Sequence, residues 1–359
     1  DAGTGNANDG DDVTLTFTAT ETIQTPTCTM NDGAGAAMDN SVAVTNTEGN
    51  IWTCVVETNN ADGNGAMTFS IAFSDSAGNA GTADTTVDDS SSVTIDNTHP
   101  TLGTVGIVDA GTGNANDGDD VTLTFTASET IQTPTCTMND GAGAAMDNSV
   151  TVTNTGGNVW TCVVETNNAD GDGAMTFSIA FSDSAGNAGT ADTTVDDSSS
   201  VTIDNTHPTL TNIVMSTDGN SGYAKSGDEI TLTITVSETV TGLVCTIDGE
   251  ATTMGGSGTS WTSDLTMSGD ETEQATVFSC ASHTDAAGNA GATDTSADSG
   301  SVTVDFTVPT LGTVGIVDAG TGNANDGDDV TLTFTATETI QTPTCTMNDG
   351  AGAAMDNSV

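Results

Sequence analysis

Apolar residues in this chain alternate with Thr and Ser in short runs, with Val13, Leu15, Phe17 and Ala19 on one parity and Thr14, Thr16 and Thr18 on the other. A period of two predicts half-buried β-strands. The same pattern marks strands over 23–30, 41–45, 50–58, 66–73 and 91–96, and another over 101–108 that opens the next stretch. Clusters of Gly, Asn and Asp separate these runs at the roughly 8–12-residue spacing typical of a β-sandwich. No segment carries a helical period, so the expectation is all-β.

Self-similarity organises the chain on a larger scale. The stretch DAGTGNANDGDDVTLTFTA begins at Asp1, Asp109 and Asp318, and residues 1–102 differ from 109–210 only at Thr20/Ser128, Ala43/Thr151, Glu48/Gly156, Ile51/Val159 and Asn64/Asp172. Residues 318–359 repeat 1–42 without a change, and a diverged copy between them reads ITLTITVSET from Ile230. A unit of about 100 residues has the size of an ordinary domain, larger than a solenoid repeat. Pro100, Pro208 and Pro309 punctuate the copies. The expected domains are 1–98, lacking a first strand, then 99–207, the diverged 208–308, and 309–359 as the N-terminal part of a fourth. On that reading the sequence is an interior piece of a longer protein, or its missing strands come from a neighbour.

Three motifs recur at fixed places. They are a D-x-x-G-N turn (Asp75, Gly78, Asn79; Asp183, Gly186, Asn187; Asp285, Gly288, Asn289), a closing T-I-D or T-V-D at Asp96, Asp204 and Asp305, and the Pro-Thr that follows. In these the chain resembles the bacterial immunoglobulin-like repeats found in tandem in very large surface adhesins and related extracellular proteins. The resemblance implies seven-strand Greek-key immunoglobulin-like sandwiches in a linear array, serving extension or adhesion. It names no ligand.

Cysteines sharpen the expected compartment. Cys28 and Cys54 lie on inward parities of strands belonging to opposite sheets, so a bond between them would join the layers and stabilise by ~3.5 kcal/mol on the chain-entropy model. Cys136 and Cys162 repeat the arrangement. In the diverged copy Ser263 stands where Cys54 would align, while Cys280 appears where Ile71 would align and becomes the expected partner of Cys245. A partner that moves between strands suits a disulfide and not a metal thiolate site. Paired cysteines point to an oxidising, extracellular or cell-surface location.

Charge then narrows the partners. With 51 Asp and Glu against one Lys and no Arg, the formal charge is −50, which argues against nucleic acid as a partner. No run reaches the length of a membrane span, so no membrane insertion is expected in this segment. Strand order places the acids of three loops and of the domain exit at one pole, facing the D-x-x-G-N turn of the next copy. Carboxylates crowded this way attract Ca²⁺, which takes six to eight oxygen ligands. The expected ligands are Asp9, Asp11, Asp12, Asp62, Asp96, Asp183 and Asn187 at the first junction, and Asp117, Asp119, Asp120, Asp170, Asp204, Asp285 and Asn289 at the second. The alternative is a solvated acidic surface suited to a salty medium, where screening is short-ranged.

Catalytic patterns are missing. GTGNANDG precedes a strand and not a helix, which disqualifies it as a phosphate loop, and the three His sit in linkers or beside a turn. Neither an enzyme nor an organic cofactor is expected. The leading expectation is a non-enzymatic, disulfide-stapled and calcium-stiffened stalk of an adhesin, whose partners are neighbouring copies in the same chain. Alternatives are a filament, sheath or surface-layer subunit in which identical chains pack laterally or donate strands, and accessory modules of a secreted enzyme.

Overall fold

The computed structural model describes residues 5–111, 113–320 and 322–355. They divide into two compact units, the first comprising Asp1–Pro208, Thr239–Thr241 and His283–Gly291, the second Thr209–Glu238, Gly242–Ser282 and Ala292–Val359. All regular structure among them is β. Among the described residues no helix is long and apolar enough to cross a membrane.

In the first copy the strands are β1 (Asn6–Ala7), β2 (Asp12–Thr18), β3 (Thr27–Asn31), β4 (Ala43–Glu48), β5 (Ile51–Glu57), β6 (Gly65–Ala66), β7 (Thr68–Ala72) and β8 (Thr94–Ile95). The second copy adds a leading strand. Its members are β9 (Leu102–Asp109), β10 (Asn114–Ala115), β11 (Asp120–Ala127), β12 (Thr135–Asn139), β13 (Thr151–Gly156), β14 (Val159–Glu165), β15 (Gly173–Ala174), β16 (Thr176–Ala180) and β17 (Thr202–Ile203).

One layer of the second copy runs β13-β14-β11-β9, and the other is built from β12-β16 and β10-β17-β15. The chain crosses between layers from β11 to β12 and again from β14 to β15, giving an immunoglobulin-like Greek-key sandwich. Alternation buries Val121, Leu123 and Phe125 from β11 against Met138, Trp160, Ile179 and Ile203, while Thr122, Thr124 and Thr126 face outward. Burying such side chains contributes about 1.5–3 kcal/mol each and holds the layers together.

The ladders also depart from the pattern in the sequence. Regular pairing in β3 begins only at Thr27, because Pro26 has no N–H to give the ladder, and Ile23 makes a single bridge to Asp75. The expected strand 66–73 breaks at Met67, whose N–H turns to Val93 O, so that β6 pairs with β8 and β7 with β3. A two-residue strand absent from the sequence reading, β1, pairs in parallel with β8.

In the first copy Leu15, Phe17, Phe69, Ile71 and Phe73 line an open groove of ≈ 660 Å³, beside the β2 edge whose counterpart β11 pairs with β9 in the second copy.

The diverged copy contains β18 (Leu210–Thr217), β19 (Tyr223–Ala224), β20 (Glu229–Val240), β21 (Val244–Ile247), β22 (Glu250–Ala251), β23 (Thr253–Thr266), β24 (Phe278–Ala281) and β25 (Thr303–Val304). Here one sheet runs β18-β20-β23 and the other β22-β21-β24. Thus the short strand after β21 joins the opposite layer from β4 and β13. In the last copy β26 (Leu311–Asp318) pairs with β27 (Val330–Ala336), and Val314 and Ile316 are 54% and 65% exposed where their counterparts Val105 and Ile107 are buried.

Disulfides Cys28–Cys54 and Cys136–Cys162 join the two layers of their sandwiches. Cys245–Cys280 links directly opposed positions of neighbouring strands in one sheet. Position 71 explains the move, since Ile71 sits opposite Cys28 across the β3–β7 ladder. A Cys at that place therefore finds its partner without leaving the sheet. Ser263 is buried and donates to Thr252 Oγ1, which in turn donates to Cys245 O, so the vacated position is filled by a hydrogen-bonded pair.

Candidate functional site

At the exit of the first copy the chain leaves β8 through Asp96 and enters β9 by way of Thr98, His99 and Pro100. The D-x-x-G-N turn of the second copy closes on this linker. Asp183 accepts the N–H groups of Gly186 and Asn187 on Oδ1, at 2.8 and 2.9 Å, and the Asn187 side-chain amide on Oδ2 at 2.8 Å. Gly186 has φ +102°, a left-handed backbone that favours glycine and accounts for the recurrent fourth position of the turn. Asn187 Nδ2 also donates to Asp96 O at 2.6 Å, and Asn8 Nδ2 donates to Asn187 Oδ1 at 3.3 Å. His99 Nδ1 donates to Ala188 O at 2.8 Å. The turn thus belongs to one sandwich by sequence and to the junction by bonding.

Three carboxylates meet there. Asp96, Glu129 and the buried Asp183 each present one oxygen, all within 4.8 Å of one another. Burial pushes the Glu129 carboxyl up, and the negative charges of Asp96 and Asp183 push it further. With Lys225 the sole Lys or Arg of the chain, and engaged at 2.7 Å with Asp228, no cationic side chain compensates this trio. Hard oxygen donors at this spacing match the ligand chemistry of Ca²⁺.

Asp96 and Asp183 are therefore brought together among the sequence-predicted ligands, and Glu129 is the member that sequence reasoning missed. Its signal was available. A Glu-Thr pair stands at the same place in the repeat in every copy, at Glu21, Glu129, Glu238 and Glu338.

Asn187 enters through its amide, holding Asp183 and the linker. At the second exit Asp285 accepts from Gly288 N, Asn289 N and Asn289 Nδ2, Asn289 Nδ2 donates to Asp204 O at 2.7 Å, and His207 Nδ1 donates to Ala290 O at 2.9 Å. The arrangement is built twice.

The remaining predicted ligands act locally. Asp11 and Asp119 accept the N–H of Asn8 and Asn116, three residues back. Buried Asp62 and Asp170 accept from Asn59 and Asn167, and Asp9 and Asp117 accept from Asn60 and Asn168. Asp12 and Asp120 open their strands opposite Glu57 and Glu165. Short polar side chains in turns habitually satisfy backbone donors this way.

Asp32 and Asp140 extend the theme. Asp140 takes Gly171 N and Ala144 N, and these bonds hold its carboxyl below the ordinary carboxylate range. Together the caps tie three loops to one another at the pole beneath the junction.

No protein-family model matches the sequence, and no curated protein is significantly similar to it. Among solved structures the chain is similar to a three-domain immunoglobulin segment of titin, in an E-to-A variant, at 11% identity over 84% of this chain and 95% of that one, TM-score 0.38. It is similar to the Escherichia coli adhesin FdeC at 14% identity over 83% and 94%, TM-score 0.32. A tetra-tandem repeat from the extending region of a large adhesion protein shows 17% identity over 90% and 83%, TM-score 0.28. The fold is defined by its own strand ladders and not by these distant likenesses.

Proposed function

We propose that the chain is a structural, non-enzymatic segment of a secreted or cell-surface protein of the adhesin kind, in which successive sandwiches space a more distant module and Ca²⁺ stiffens the junctions. The three disulfides favour an oxidising compartment, where such bonds persist. A structural reading is supported by the use made of the linker imidazoles, since His99 and His207 spend a ring N–H on Ala188 and Ala290 carbonyls.

The carrying observation is the trio of Asp96, Glu129 and Asp183 within 4.8 Å, drawn from both sides of one junction. Three like charges so close repel unless a cation bridges them. Calcium bound there would draw further oxygens from carbonyls and water, tie the exit of one sandwich to the body of the next, and remove the repulsion that, after burial, raises the Glu129 carboxyl.

Calorimetric titration of the full chain with calcium tests the reading. The expected result is saturable binding that Glu129→Gln weakens by about tenfold, a loss of ~1.4 kcal/mol. Absence of heat and of any stabilisation by calcium would overturn it.

A further inference from the structure

The linkers are held at both ends by side chains, and one of the holding positions differs in chemistry from copy to copy. At the first exit Asn64 Oδ1 accepts Asn97 N at 2.9 Å and its Nδ2 donates to Thr98 Oγ1 at 2.7 Å. At the second, Asp172 Oδ1 accepts Asn205 N at 2.7 Å and Oδ2 accepts the Thr206 hydroxyl at 2.6 Å. At the third, Glu273 Oε1 accepts Phe306 N at 2.7 Å, and both its carboxylate oxygens receive the Thr307 hydroxyl at 2.9 Å. The same two linker groups are grasped each time by an amide, a short carboxylate and a long carboxylate.

The far end is fastened as regularly. Ser128 Oγ accepts Thr101 N at 2.9 Å, Ser237 Oγ accepts Thr209 N at 2.9 Å, and Thr337 Oγ1 accepts Thr310 N at 3.0 Å.

Position 64/172 is one of only five at which the first two copies differ, and 20/128, where Ser128 holds Thr101, is another. Charge-assisted hydrogen bonds are about twice as strong as neutral ones. Asn64 offers a neutral acceptor and must turn its amide on the threonine, reversing one bond. Asp172 and Glu273 accept both bonds with an ionised group.

We propose that the residue at 64, 172 and 273 is a linker clamp whose chemistry grades the order of each junction, the first linker being held more loosely than the second and third. This deepens the spacer reading and rests on it for biological meaning; Asn64 Nδ2 also reaches Asp96 Oδ1 at 3.5 Å, but the clamping bonds run to residues 97 and 98 and need no bound calcium.

Hydrogen exchange on the full chain in calcium-free buffer at neutral pH separates the two. Peptides that begin at Asp96 or Asp204 and run on to Gly103 or Thr211 differ in sequence, so the two linkers are read separately. The first linker is expected to exchange about fivefold faster than the second, the equivalent of roughly one net hydrogen bond. Asp172→Asn should raise the second linker to the rate of the first, Asn64→Asp should slow the first to the rate of the second, and Asp172→Ala should exceed both. Peptides covering β11 and β14 should stay unchanged. Equal rates in the two wild-type linkers, indifference to the Asn/Asp exchange, or core peptides moving together with the linkers would each overturn the clamp. A failed calcium titration leaves this result standing.

Discussion

Asp140 illustrates what a single acid does in a chain that carries so many. It is buried, and it bridges its own turn to Gly171 of another loop through both carboxylate oxygens. The Gly171 N–H is the largest influence lowering its proton affinity, with Ala144 adding to it. The folded carboxyl therefore titrates below the unfolded one, near 3.9. Its contribution to stability is full above that unfolded value and is lost as pH falls through the folded one. Asp140→Asn replaces one acceptor oxygen by an amide that cannot take an N–H, so the variant should be less stable at neutral pH. The gap from wild type should narrow on acidification below about pH 4, where protonation disables the wild-type carboxylate as well. Urea unfolding from pH 3 to 7 checks this, and parallel curves for the two proteins would contradict the capping role. Tight geometry constrains apolar contacts too. A methyl added to Gly189 would lie 2.1 Å from the Phe181 ring, and the second Gly of the repeated G-N-A-G stretch is explained by that ring, or by His283 over Gly291 in the diverged copy.

Strands and their staples show where sequence is informative. Inward cysteines were legible because parity fixes the face of every strand residue, and the ladder pairing Cys28 with Ile71 shows why the diverged copy could move its partner to Cys280. Reversing that move gives a prediction. In a Ser263→Cys, Cys280→Ile double variant, Cys245 should pair with the new thiol at 263, across the layers as in the first two copies. Disulfide mapping of proteolytic fragments by mass spectrometry checks it, and a free thiol at 245 would refute the equivalence of positions 54 and 263. Other elements were illegible for physical reasons. β1 spans only Asn6–Ala7, too short to alternate, and it exists through a parallel ladder to Thr94–Ile95 far along the chain. The switch of Glu250–Ala251 to the β21 side depends on tertiary pairing that no local period reports. Glu129 was overlooked because it lies at the end of a strand, and only the path of the linker turns that end into part of a junction.

Across the whole molecule, 50 net negative charges must be tolerated, and two remedies make different predictions. Caps stabilise the ionised carboxylates locally, since most of the acids assigned to calcium from sequence are bonded to backbone N–H groups of their own loops. The trio at Asp96, Glu129 and Asp183 is different, because its oxygens face one another across two sandwiches. Salt and calcium should therefore act unequally. Monovalent salt screens exposed charges that lie farther apart than the Debye length of ~8 Å at physiological strength, and it should relax the chain evenly. Calcium bound at the junction, as proposed, would add a bond between sandwiches and restrict bending there. Electron microscopy of the full chain is expected to show a narrower spread of angles between the first two sandwiches in millimolar calcium than after chelation, with Glu129→Gln reducing the difference. Sodium chloride at matched ionic strength should not reproduce the narrowing. If it does, the acids serve as a screened surface alone, and order at the junctions comes from the linker clamps without a bridging ion.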